Sequence, residues 1–187
     1  MYAKNTDFVD EVYVTTDSND IKKVALKYGA KVVNRPKELS GDLEPTVTAL
    51  KHVLETIDYE VENVILLQPT NPLRPRKLLE DAFKTFRSKN CDSLFTVTQN
   101  HHKFGKIVND KYVPFNYKIG QRSQDLEPLY YENGLLYITK AKLIMQNTII
   151  SENAYPIVVN HPYASIDIDT EDDFELAKYI KIKYKNE

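Results

Sequence analysis

The sequence predicts an α/β domain with a mostly parallel sheet, and three observations carry that prediction. Short apolar, β-branched runs alternate with amphipathic stretches at helical spacing. Polar, proline-containing loops follow several of the predicted strands, at the place where open α/β sheets bind ligands. The 187 residues are 42 % hydrophobic and 28 % charged, which suits one packed core and argues against disorder.

Residues 11–16 (EVYVTT) read as a strand ending at the turn-forming run Asp17-Ser18-Asn19-Asp20. Ser18 can cap a helix whose apolar positions are Ile21, Val24, Ala25 and Tyr28, and Gly29 stops it. Residues 31–34 form a second short strand. A polar loop over 35–45 then leads into a helix from Thr46, with Val47, Leu50, Val53, Leu54 and Ile57 at helical spacing. Residues 63–67 (NVILL) are apolar without alternation, the pattern of a strand buried on both faces.

Pro75 sits where a helix can begin, and Leu78, Leu79, Ala82 and Phe86 continue it. A strand over 93–98 follows. Between 101 and 132 the periodicity lapses and Gly, Asn and Pro enter. This is expected to be an insertion carrying short strands such as 106–108, not a separate domain. A strand over 135–139, a short helix over 140–146 and a strand over 157–159 restore the pattern. Thr170 caps the last helix, with Asp172 and Asp173 in its first turn and Phe174, Leu176, Ala177, Ile180 and Ile182 at its apolar positions. Residues 1–187 are thus expected to form one domain.

Composition narrows the function. Lys+Arg 25 against Asp+Glu 27 gives a net charge of −2, with no basic excess to neutralise a nucleic-acid backbone. The single cysteine, Cys91, cannot form an intrachain disulfide or a cysteine-built zinc site, and it lacks an activating partner. His101 and His102 face opposite sides of a strand and have no suitably spaced third ligand. The N-terminus has neither a basic nor an apolar signal region, and no apolar run reaches membrane-spanning length, so a soluble cytoplasmic protein is expected.

Four polar groupings could carry chemistry. In Asp167-Ile168-Asp169 an extended backbone points both carboxylates the same way, which suits Mg²⁺ beside a phosphate and equally suits a solvated turn before a capped helix. The loop after residues 63–67 offers Gln68, Thr70, Asn71 and Arg74, held by two prolines, to a hydroxyl-rich or anionic ligand. Arg35, Asp42 and Thr46 lie in a second loop that also follows a strand, where Arg35 can pair with an anion or a base edge. Arg122, with Gln124 and Asp125 beside it, could clamp a carboxylate bidentately or simply form a surface ion pair.

Six motifs in order carry a family resemblance: Thr15-Thr16-Asp17; Arg35-Pro36-x-x-Leu39-x-x-Asp42; Leu66-Leu67-Gln68-Pro69-Thr70-Asn71-Pro72-Leu73-Arg74; Arg122-Ser123-Gln124-Asp125; Glu132-Asn133-Gly134-x-x-Tyr137-Ile138; and Asp167-Ile168-Asp169-Thr170. From Val9 to the last helix the chain resembles the acylneuraminate cytidylyltransferases, the CMP-sialic acid synthetases and their relatives. The resemblance implies a three-layer nucleotidyltransferase fold, like that of the nucleotide-diphospho-sugar transferases, with a dimerisation insertion at 101–132. It also implies a homodimer that takes CTP and a sugar acid, with Mg²⁺ as cofactor. The implied reaction is attack of an anomeric hydroxyl on the α-phosphate of CTP, releasing pyrophosphate.

In those terms Asp167 and Asp169 match the catalytic, metal-binding aspartates. Arg35, Asp42 and Thr46 fall on the nucleotide side. Gln68, Thr70, Asn71, Arg74, Arg122, Gln124, Asn133 and Tyr137 fall on the sugar side.

Several positions depart from the family pattern. Asn71 stands where serine is usual, Ser123 replaces a second arginine, and Tyr131 replaces an arginine before Glu-Asn-Gly. Both arginine losses weaken an anionic pocket, so an acceptor other than sialic acid is expected. The family's opening strand and its glycine- and basic-rich triphosphate loop have no counterpart here, and residues 1–8 resemble the tail of the helix after that loop. The expectation is therefore a chain with impaired catalysis by itself. The alternatives are a non-catalytic sugar-binding or dimerisation subunit and a cytidylyltransferase for 3-deoxy-manno-octulosonate.

Overall fold

The computed structural model describes residues 2–185; Met1, Asn186 and Glu187, at the ends of the predicted domain, lie outside the described residues. The elements follow the predicted order: β1 (Tyr13–Thr16), α1 (Asn19–Lys27), β2 (Lys31–Asn34), α2 (Thr46–Thr56), β3 (Asn63–Leu66), α3 (Leu78–Lys89) and β4 (Ser93–Asn100). A hairpin, β5 (Gly105–Val108) and β6 (Lys111–Pro114), comes next. Then follow β7 (Leu129–Lys140), α4 (Ala141–Met145), β8 (Ala154–Val158) and α5 (Glu171–Lys183).

The local signals act as their chemistry requires. Ser18 Oγ accepts from Ile21 N, and Gly29 takes φ +75° just past α1. Pro45 precedes α2, and Thr170 closes a reciprocal capping box with Asp173 at the start of α5. In the hairpin turn Asn109 and Asp110 both have positive φ, the conformation a two-residue turn needs to match strand twist. Near the start of the described residues, Ala3–Asn5 form a 3-10 turn. Phe8 stacks on Phe83 of α3 at 4.2 Å, and Tyr2 Oη donates to Pro75 O while accepting from Leu79 N.

The main sheet has the order β3-β7-β4-β8. Strands β4 and β8 pair in parallel, but β7 runs antiparallel between β3 and β4, so the sheet is mixed. Periodicity reports burial and not strand direction, which is why this reversal was invisible in the sequence. A second, two-stranded parallel sheet pairs β1 with β2. Helix α3 lays Leu78, Leu79, Ala82 and Phe86 against Leu94 of β4 and Leu135, Leu136 and Ile138 of β7, and these form the core.

Two burial expectations are corrected. The NVILL strand is only half-buried, because β3 is the end strand of its sheet; the deeply buried strand is β7, where residues 133–139 are all buried. Helix α1 buries Ala25 alone. Ile21, Val24 and Tyr28 remain 53 %, 54 % and 61 % exposed, since a two-stranded sheet covers too little of the helix face. No helix among the described residues is long and apolar enough to cross a membrane.

Candidate active site

The site begins with a distortion in the most buried strand. Phe95 of β4 pairs with Tyr137 and Val97 with Glu132, so Thr96 alone faces the four residues Asn133–Leu136. Gly134 makes the bulge possible at φ +71°, and a Cβ there would lie 2.5 Å from Asn71 Oδ1 and 2.7 Å from Gln68 Oε1. The buried Asn133 side chain holds the bulge together. Its Oδ1 accepts from Thr96 Oγ1 (2.6 Å) and Leu135 N (3.2 Å), and its Nδ2 donates to Thr98 Oγ1 (3.0 Å). The result sets Glu132 beside Tyr137, whose hydroxyl donates to Glu132 Oε2 at 3.3 Å.

The loop after β3 packs against this bulge and is tied to the Asp-Ile-Asp segment. Asn71 Nδ2 donates to Ile166 O (2.8 Å), and Ile168 N donates to Thr70 O (2.9 Å). These two bonds bring residues nearly a hundred apart in sequence to one place. Asp167 and Asp169 are both exposed, and neither has an ion-pair partner among the described residues.

Two neighbouring cavities result. The first, about 260 Å³, is lined by Arg35, Ser40, Glu44, Thr46, Gln68 and Thr70, among others. The second, about 320 Å³, is lined by Gln68, Asn71, Glu132, Asn133, Tyr137 and Asp167, with Tyr131, Gly134, Ala164 and Ser165. Gln68 belongs to both. Arg35 is oriented by Ser40, whose Oγ accepts from Arg35 Nε (3.1 Å) and donates to Pro36 O (2.9 Å). Among the described residues the other guanidinium nitrogens of Arg35 carry no hydrogen bond, so they can serve a ligand.

The electrostatics of the second cavity centre on Tyr137. Burial first, then the charge and hydrogen bond of Glu132 and the charge of Asp167, push its hydroxyl up to about 12. It is a protonated donor at neutral pH. Cys91, by contrast, sits in the core with its thiol pushed up by burial, consistent with an inert residue.

Of the residues singled out in sequence, Arg35, Thr46, Gln68, Thr70, Asn71, Asn133, Tyr137 and Asp167 line the paired cavities. Asp42 is exposed and outside both linings, although its neighbours Gly41 and Glu44 line the first. Asp169 lies two residues beyond the lining residue Asp167, with its backbone N–H on Asp173 Oδ2. Arg74 lines neither cavity and spends its guanidinium on main-chain carbonyls. Arg122 and Gln124 are exposed on or beside the 3-10 turn Ser123–Asp125. There Arg122 is bidentate to Asp125 at 2.8 and 3.0 Å, and neither residue reaches a cavity.

Five lining carboxylate or hydroxyl residues received no role from the sequence: Ser40, Glu44, Tyr131, Glu132 and Ser165. Glu132 could have been found, since it opens the Glu-Asn-Gly motif. Ser40 and Ser165 carry no local signal.

The arrangement matches solved structures in fold. A CMP:2-keto-3-deoxy-manno-octonic acid synthetase complexed with CTP superposes with a TM-score of 0.68 over 97 % of this chain and 85 % of that one, at 13 % identity. The protein therefore has a nucleotidyltransferase-like α/β fold. Its family follows from sequence: the cytidylyltransferase family model matches residues 2–186, and the chain belongs to that family of nucleotidyltransferase enzymes.

An N-acylneuraminate cytidylyltransferase of Streptococcus agalactiae is 32 % identical over 175 residues, which is 88 % of this chain and 41 % of that protein. The chain thus spans about two fifths of that relative's length. A pseudaminic acid cytidylyltransferase of Campylobacter jejuni is 29 % identical over 95 % of this chain and 81 % of its own.

Proposed function

We propose that the chain transfers CMP from CTP to the anomeric hydroxyl of a nonulosonic sugar acid, releasing pyrophosphate. One observation carries the reading: a cavity holding Arg35 and a cavity holding Asp167 and Tyr137 meet at Gln68. The named relatives act on sugar acids of this class, which favours nine-carbon acceptors over the octulosonate alternative.

Each cavity has a distinct task in this reading. The first takes the nucleotide, with Arg35 aimed by Ser40 toward an anion or base edge and the Thr46 hydroxyl beside it. The second takes the acceptor, with Gln68 and Asn71 as amide partners and Tyr137, its proton held by Glu132, as a fixed hydroxyl acceptor. The acceptor oxygen forms a bond to the α-phosphorus as the bond to the pyrophosphate oxygen breaks. Such in-line transfer asks for orientation and charge neutralisation more than for a protein nucleophile.

The carboxylates of Asp167 and Asp169 fit Mg²⁺. Both are exposed, hard oxygen donors without a counter-charge, and Mg²⁺ binds through one or two carboxylates plus substrate phosphate oxygens. Bound there, it supplies charge neutralisation at the triphosphate. Homodimerisation is supported by the apolar hairpin of β5 and β6, where Ile107 is 71 % and the following Phe115 66 % exposed. Cytoplasmic residence follows from a soluble nucleotide substrate.

The test is pyrophosphate release with CTP, Mg²⁺ and a panel of nonulosonic acids. Release that depends on a sugar acid supports the reading. Asp167→Asn is expected to lower the rate by about 100-fold or more, the scale of losing one charge-stabilising group. Sugar binding without Mg²⁺-dependent CTP binding in calorimetry would instead favour a non-catalytic sugar-binding subunit.

A further inference from the structure

Arg74 ends the proline-braced loop after β3, and its guanidinium folds back beneath that loop. Nε donates to Leu135 O at 2.6 Å, and Nη2 donates to Gln68 O at 2.8 Å. Both acceptors are main-chain carbonyls, and no carboxylate pairs with Arg74 among the described residues. Burial brings its pKa down to about 10, so it stays cationic at neutral pH. A partly buried cation without a counter-charge is costly, and here two charge-assisted hydrogen bonds are what hold it.

The two carbonyls belong to the two sides of the site. Gln68 lines both cavities, and Leu135 directly follows Gly134 in the bulge that shapes the second. Contact across the seam is tight, since even a methyl group on Gly134 would meet Gln68 Oε1 and Asn71 Oδ1. One planar fork therefore sets the distance between the loop and the bulge. A lysine ammonium, a single point of charge, cannot span both acceptors with the same geometry.

We propose that Arg74 is a positioning residue: it touches neither ligand, and it fixes the loop against the bulge so that nucleotide and acceptor meet at reacting distance. The proposal rests on the donor–acceptor reading of the two cavities. In this reading Arg74 acts behind the site and not as the direct sugar contact that the resemblance implies. Small misplacements of reacting groups cost about 100-fold in rate, so the signature belongs in turnover and not in binding.

The experiment compares Arg74→Lys and Arg74→Met with the unaltered chain, with thermal melts to verify folding. The expected result is a kcat lowered about 10- to 100-fold in Arg74→Lys and further in Arg74→Met, with KM for CTP and for the acceptor within about 3-fold. Guanidinium ion added at millimolar concentration is expected to restore part of the Arg74→Met rate. An acceptor KM that rises with kcat unchanged would mark a direct ligand contact and overturn the proposal, as would unchanged kcat in both variants.

Amide hydrogen exchange reads the coupling without turnover. Residues 66–73 and 132–137 should exchange faster together in Arg74→Met, and unaltered protection in either segment overturns the inference. If the unaltered chain transfers nothing to any sugar acid, the donor–acceptor reading falls, while the exchange result still decides whether Arg74 ties loop to bulge.

Discussion

Tyr137 shows how one residue's chemistry depends on its neighbours. Its hydroxyl titrates at about 12 against an ordinary value of 10.0, through burial first and then the negative charges of Glu132 and Asp167. Because the folded-state value is raised, the associated stability is fully present below about pH 10 and is lost as pH rises toward about 12. Glu132→Gln removes one of the two charges and keeps the hydrogen-bond acceptor. It is expected to lower the Tyr137 pKa toward 10.0, read by NMR of a tyrosine labelled at Cζ. No change on that substitution would show that the Glu132 charge does not raise the value. Glu132 was legible only as part of a motif, because its partner sits five residues away across a bulge that no periodicity announces.

At the scale of elements, end signals were the most readable part of the chain. Ser18, Gly29 and Thr170 all work at the positions their chemistry suggests, whereas Pro75 lies before the cap of α3 and not in its first turn. The capping box of α5 also holds the Asp173 carboxyl below the usual range, through Thr170's hydroxyl and the backbone N–H groups of Thr170 and Asp169. With a depressed folded-state value, that contribution exists at neutral pH and is lost as pH falls below the ordinary carboxylate range. Thr170→Ala is expected to lower Tm by about 2–4 °C at pH 7 and by less at pH 3, measured by calorimetry. An equal drop at both pH values would separate the cap from the carboxylate. Thr170, the cap of helix α5, directly follows Asp169, so it also anchors one end of the segment that carries both aspartates.

At the scale of the whole molecule, the hairpin of β5 and β6 leaves Ile107, Val108, Tyr112 and Val113 exposed, with Phe115 just after it. If it is the dimer contact, sedimentation equilibrium will give twice the 21.7 kDa chain mass, and Ile107→Lys with Val113→Lys will give the monomer. A monomer before substitution would remove the dimer from the proposal. Strand order explains what sequence reading ranked wrongly. An apolar run such as NVILL looks like a central strand, yet β3 ends its sheet, while β7 is flanked on both sides and takes the deepest burial.

Order along the chain, end-capping residues and the succession of short polar motifs were enough to give the element types, the α/β class and the family, because each depends on chemistry within a few residues. Which polar side chains share a cavity was settled only by the packed fold. Asn71 meets Ile166 O across 95 positions, and Arg74 meets Leu135 O across 61. Partnerships at that range are set by strand order and by the bulge at Gly134, and nothing local encodes either.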